Sequence, residues 1–152
     1  MVDITIQKVD PRDTKVRQLI EELDDYMAQL YPSESNFGLH LEDLVQAPMR
    51  FYAVTVDGEM LGCGGFWLHD GYAEVKRVYI HPSSRGLGLG RKIMAHLEGE
   101  MLRESRMIAR LETGISQPEA LGLYRALGYV DRSAFGDYST DDPFSVFMEK
   151  IL

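Results

Sequence analysis

The chain has 152 residues, a length that predicts one domain over 1–152 with a sizeable core. Apolar residues make up 45% and charged residues 26%, and 16 Lys+Arg against 24 Asp+Glu leave a net charge of −8. That balance argues against a nucleic-acid binder, which needs a dominant basic face, and favours cationic small molecules as partners. Cys63 stands alone, so no intrachain disulfide is expected and a reducing cytoplasm is the simplest compartment. The histidines are scattered and no Cys-x-x-Cys or His-x-x-x-His spacing occurs, so no metal site is indicated. The opening MVDITIQKVD lacks the layout of a signal peptide, and no stretch approaches the roughly 18 apolar residues of a membrane span.

In chain order, the alternation of Val2, Ile4 and Ile6 predicts a strand over residues 2–9. Asp10-Pro11 then offers an N-cap and a first-turn proline. Val16, Leu19, Ile20, Leu23, Met27 and Leu30 form a helical stripe up to Pro32, and a short helix is expected over 41–47. Three strands follow as a meander over 51–56, 59–69 and 72–80, joined by Asp57-Gly58 and Asp70-Gly71. The first of these is apolar on both faces and reads as central. In the third, Ala73 and Val75 share one parity, while Val78 and Ile80 have the other. Either a β-bulge near Lys76-Arg77 or two-sided burial around an exposed Lys76-Arg77 pair accounts for that flip.

Beyond Pro82 a glycine-rich loop leads into a helix carrying Ile93, Met94, Leu97 and Met101. A strand over 108–113 stops at Gly114. The next helix starts after Gln117-Pro118, turns Ala120, Leu121, Tyr124 and Leu127 inward, and ends at Gly128. Phe144, Val146 and Met148 mark a last strand. The order β-α-(α)-β-β-β-α-β-α-β predicts an α/β (α+β) fold: a mixed, mostly antiparallel sheet with helices on both faces.

The segment Arg85-Gly86-Leu87-Gly88-Leu89-Gly90-Arg91 lies between a strand and a helix. Its glycines let the backbone approach a ligand, and their N–H groups add to those of the helix N-terminus. With Arg85, Arg91 and Lys92 beside them, these donors suit an anion, most naturally a phosphate. A Walker loop would end in Gly-Lys-Ser/Thr, where this chain has Gly90-Arg91-Lys92. A dinucleotide fingerprint on Gly88 and Gly90 would need a third glycine where Ile93 stands.

Arg85, Gly88 and Gly90 fit an Arg/Gln-x-x-Gly-x-Gly/Ala loop. With Val78-Tyr79-Ile80-His81-Pro82 before it and Ala120…Leu123-Tyr124-Arg125-Ala126-Leu127-Gly128-Tyr129 after it, the sequence resembles the GNAT N-acetyltransferase superfamily. The resemblance covers the whole element order and is sharpest over 74–130. Gln117 departs from the Asn frequent at the head of the second helix, which alters one polar contact. The resemblance implies acetyl-coenzyme A as acyl donor, held in a split between strands 74–80 and 108–113. It places the pyrophosphate on residues 86–91 and the pantetheine on the backbone of Val78 and Ile80. It puts an oxyanion donor near Tyr79-Ile80 and includes Gln117 and Ala120 in the cofactor wall. It makes Tyr124 the proton donor to the leaving thiolate. Glu74 is the candidate base for the attacking amine, the alternative being a surface carboxylate paired with Lys76 or Arg77.

The implied reaction is direct transfer of acetyl to the primary amine of a small molecule. A protein or peptide acetyltransferase and a non-catalytic acyl-coenzyme A binding module are the alternatives. Tyr26, Tyr31, Phe37, Trp67 and Tyr138 are candidates for the acceptor wall, with the acidic segment 137–142 beside them. His69 reads as a turn residue and Cys63 as a small buried hydrophobe. A homodimer is the default assembly for a soluble chain.

Overall fold

The computed structural model describes residues 2–32 and 41–152. The strands are β1 (Ile4–Lys8), β2 (Met49–Val56), β3 (Glu59–His69), β4 (Tyr72–Ile80), β5 (Ile108–Gly114), β6 (Val130–Arg132) and β7 (Ser145–Ile151). The helices are α1 (Thr14–Leu30), α2 (Leu41–Leu44), α3 (Leu89–Arg103) and α4 (Pro118–Ala126), with a 3-10 turn at Pro82–Ser84. The strands form one seven-stranded sheet in the order β1-β2-β3-β4-β5-β7-β6. Every pairing is antiparallel except β4 with β5. Among the described residues no helix is long and apolar enough to cross a membrane.

The sheet is apolar on both faces and each face takes helices. Val16, Leu19, Ile20 and Leu23 of α1 and Leu44 of α2 pack on Phe51, Cys63 and Tyr79. Ile93, Met94, Leu97 and Met101 of α3 pack on the other face with Val54, Phe66, Val75 and Leu111. β2 lies between these layers, which is why its sequence is apolar at both parities.

Three local readings change. The N-cap of α1 is Asp13, whose carboxylate accepts from the Lys15 N–H at 3.0 Å. Asp10 instead forms a turn through Pro11, accepting from the Arg12 N–H and its guanidinium. Helix α2 ends at Leu44 rather than near residue 47. β6 is an additional strand, three residues long at the sheet edge, and too short to show a period.

The parity flip in β4 is a β-bulge. Cys63 pairs with Tyr79 and Gly65 with Lys76, so Arg77 and Val78 together oppose Gly64. Arg77 takes the left-handed conformation, φ 60°. Its guanidinium is tied to Asp24 of α1, and its carbonyl accepts the Cys63 thiol at 3.4 Å. The extra residue keeps Ala73, Val75, Val78 and Ile80 on the α3 side.

Candidate active site

β4 and β5 pair only at Ala73↔Ala109 and Glu74↔Arg110, and then part. β5 continues to Gly114 against β7, while β4 continues to Ile80 against β3. The bulge at Arg77 lies where the strands separate. Because the His81 N–H bonds the Leu61 carbonyl at 2.8 Å, the period of two turns the Tyr79 peptide groups toward β3. Those of Val78 and Ile80 therefore face the gap.

The gap opens into a cleft of about 560 Å³. Val78, Tyr79 and Ile80 form one wall, Gln117, Ala120 and Tyr124 the other, and Arg85, Gly86, Gly88, Leu89, Gly90 and Arg91 the outer mouth. Gly86 and Gly88 hold φ of 94° and 72°. Gly88 caps α3 without a side-chain bond, and the first N–H there with a carbonyl partner is that of Lys92, bonded to Gly88 at 3.1 Å. The preceding N–H groups thus gather at a helix start, the arrangement that binds an anion. A Cβ on Gly90 would meet Leu123 at 2.9 Å, so glycine lets α3 and α4 close the mouth together. Leu87 is exposed at the tip of the loop. Of the aromatic candidates for the acceptor side, Tyr26 lines this cleft instead.

Tyr124 points from α4 into the inner end of the cleft and is largely buried. Burial, then the nearby charge of Glu112, push its hydroxyl up to about 12, so it carries its proton throughout the neutral range. Its ring meets Tyr129 edge-on at 5.9 Å, and Tyr129 in turn donates to Glu98 at 2.9 Å.

Glu74 lies at the point of divergence, 3% exposed, and is held on several sides. Its carboxylate accepts from the Tyr138 hydroxyl at 2.6 Å and from the Lys76 ammonium at 2.9 Å, and meets His69 Nε2 at 3.0 Å. His69 is therefore more than a turn residue: its ring stacks on Tyr72 at 4.5 Å and bridges Glu74 to the surface. Glu74, Lys76, His69, Tyr138, Trp67, Asp43, Gly136 and Asp137 line a second cleft of about 610 Å³. Of the remaining aromatic candidates, Trp67 and Tyr138 line this second cleft, Tyr31 is buried behind the β5–α4 turn, and Phe37 lies outside the described residues. Cys63 is fully buried, and desolvation raises its thiol to about 12.

Glu112 of β5, two residues beyond the Arg110 that pairs with Glu74, lies within electrostatic reach of Glu74 and Tyr124 and was not singled out from the sequence. Burial raises its carboxyl to about 7 against the lowering effects of Ser145 and Lys76, with Glu74 and Asp142 adding to the rise. Its carboxyl is thereby poised near neutral pH, and its charge is felt by Tyr124. In the sequence it is one polar position within the strand over 108–113, between Leu111 and Thr113.

The acetyltransferase (GNAT) family matches residues 16–129. A protein of Azospirillum brasilense named IAA acetyltransferase is 41% identical over 154 residues, covering 100% of both chains. A solved structure of a proposed acyl-CoA N-acyltransferase from Klebsiella pneumoniae is 39% identical and superposes with a TM-score of 0.83, covering 98% of this chain and 97% of that one. The PaiA N-acetyltransferase of Thermoplasma acidophilum, solved with coenzyme A, shares the fold at 16% identity and a TM-score of 0.75, covering 99% of each chain. With its parted β4 and β5, its glycine loop and its α4 tyrosine, the chain belongs to the GNAT acetyltransferase family and is an acyltransferase.

Proposed function

We propose that the chain transfers an acetyl group from acetyl-coenzyme A to the primary amine of a small molecule, by direct attack in a ternary complex. The observation that carries this reading is the parting of β4 from β5 after Glu74, with the glycine loop at the outer mouth of the gap. The pyrophosphate lies against the N–H groups of residues 86–91, with Arg85 and Arg91 adding charge. The pantetheine amides pair with Val78 and Ile80 as an added strand, opposite Gln117 and Ala120.

The amine nitrogen attacks the thioester carbonyl, and a β4 N–H near Tyr79-Ile80 stabilises the oxyanion. The C–S bond then breaks, Tyr124 supplies the proton to sulfur, and the second proton of the attacking nitrogen, released as the amide forms, restores the Tyr124 hydroxyl. An alkylammonium must first lose a proton. We assign its uptake to the Glu74–Glu112 pair. Glu112 has a proton affinity matched to neutral pH, and Glu74 connects through His69 to the surface. The second cleft, walled by Trp67 and Tyr138, is where the acceptor enters. Its size, and the name of the Azospirillum relative, support a small molecule.

The test is calorimetric titration with acetyl-coenzyme A and coenzyme A, with a dinucleotide as control, followed by thiol release with a panel of amines. Selective coenzyme A binding and amine-dependent release are expected. A folded protein that binds neither thioester nor thiol would overturn the assignment.

A further inference from the structure

Tyr31 closes α1, and its hydroxyl reaches the turn that begins α4. It accepts the Ser116 N–H at 3.0 Å and donates to Gln117 Oε1 at 3.3 Å. The ring is 6% exposed and meets Phe144 edge-on at 6.2 Å. Phe144 itself accepts the Ile115 N–H at 3.0 Å. A Cβ on Gly114 would overlap the Tyr31 hydroxyl, so the strand end leaves the space that the phenol fills.

This contact matters because of what α4 lacks. Gln117 is its N-cap and makes no side-chain bond to its own helix. Gln is not among the residues that cap a helix well. The start of α4 is held from outside, by Tyr31 on the side chain of Gln117 and on the N–H before it. Gln117 also lines the cofactor cleft, and Tyr124 stands about two turns further along the same helix.

We propose that Tyr31 is a positioning residue for cofactor binding: its hydroxyl fixes the Ser116-Gln117 turn so that Gln117 meets the cofactor in one orientation. This rests on the reading that the cleft beside Gln117 takes acetyl-coenzyme A. Tyr31 touches no reacting atom and acts only through Gln117. It also ties the end of α1, and through Phe144 the segment before β7, to the turn that begins α4.

The experiment measures the Kd for coenzyme A by calorimetry, with Tm alongside, for the wild type, Tyr31→Phe, Gln117→Ala and the double variant. Tyr31→Phe keeps the ring and its packing. Losing the hydrogen bonds that orient Gln117 should weaken coenzyme A binding by about three- to tenfold. The double variant should bind no more weakly than Gln117→Ala alone. Gly114→Ala, which displaces the phenol without altering it, should weaken binding in the same way. A purely structural role would lower Tm and leave Kd unmoved, and that result in both Tyr31→Phe and Gly114→Ala overturns the proposal. A wild type that fails to bind coenzyme A overturns the functional reading itself, and this inference with it.

Discussion

Tyr138 donates its phenolic hydrogen to Glu74 across 2.6 Å, which ties the segment before β7 to the inner end of β4. Lys76 donates into that same hydroxyl at 2.7 Å and pairs with Glu74 at 2.9 Å. A carboxylate this buried depends on all its donors. Tyr138→Phe removes one of them and should cost about 1.5–3 kcal/mol, the range for a bond to a charged group. Glu74→Gln strands the Lys76 ammonium and should cost about 3–5 kcal/mol. Urea unfolding measures both. In a double-mutant cycle the two losses should sum to more than the loss of the combined variant, and strict additivity would mean the contacts are not energetically linked.

Tyr124 has a buried phenol, and among the described residues the charge that acts on it is that of Glu112, which disfavours a phenolate. That environment suits a donor rather than a base. Tyr124→Phe preserves the ring contact with Tyr129 and should lower kcat by about 10²- to 10⁴-fold, with the coenzyme A Kd unchanged. Single-turnover thiol release separates the steps. A variant with wild-type kcat would remove Tyr124 from the chemistry.

If Glu112 takes up the proton as proposed, activity and stability should depend on pH in opposite directions. Its folded pKa of about 7 lies above the ordinary 4.5, so the folded state holds the proton more tightly than the unfolded one. The stability this confers is fully present below pH 4.5 and is lost as pH rises through 7. The whole change is on the order of 3 kcal/mol. Activity runs the other way, because a base must be deprotonated, so kcat/KM should rise through pH 7. Glu112→Gln should flatten the Tm profile over that window and remove the limb of kcat/KM. A Tm profile unchanged by the substitution would mean that Glu112 titrates normally.

What the sequence revealed here was local. Asp57-Gly58 and Asp70-Gly71 set the hairpins, and the stripes of α1 and α3 set the layers. The parity of Ala73, Val75, Val78 and Ile80 carried the bulge because each apolar side chain must find one face. What stayed hidden depends on groups far apart in the chain. Glu112 is perturbed by burial, Ser145 and Glu74, none of which its own strand foretells. Glu74 was legible as a cleft carboxylate, but its hold by Tyr138, 64 residues on, was not. Tyr31 looked like a wall residue, and its partner Gln117 lies 86 residues away. Asp13 displaced Asp10 as the cap of α1 because two carboxylates competed and Arg12 claimed the first.

Gly88 separates backbone tolerance from ligand recognition. Its φ is 72°, and an added Cβ would meet nothing within 4 Å. Alanine there should fold with a penalty of about 1–2 kcal/mol from the left-handed conformation alone. Aspartate visits that conformation more readily, so Gly88→Asp should be at least as stable as Gly88→Ala in the free protein. Affinity should rank the other way. A carboxylate among N–H groups gathered for a phosphate occupies their donors and repels the cofactor, whereas a methyl group leaves the donors in place. Gly88→Asp should therefore lose coenzyme A binding while Gly88→Ala retains much of it, and added salt should narrow the gap by screening the repulsion. Thermal unfolding and calorimetry on the same two variants read both rankings. If the affinities instead followed the stabilities, residues 86–91 would not be the site that holds the pyrophosphate.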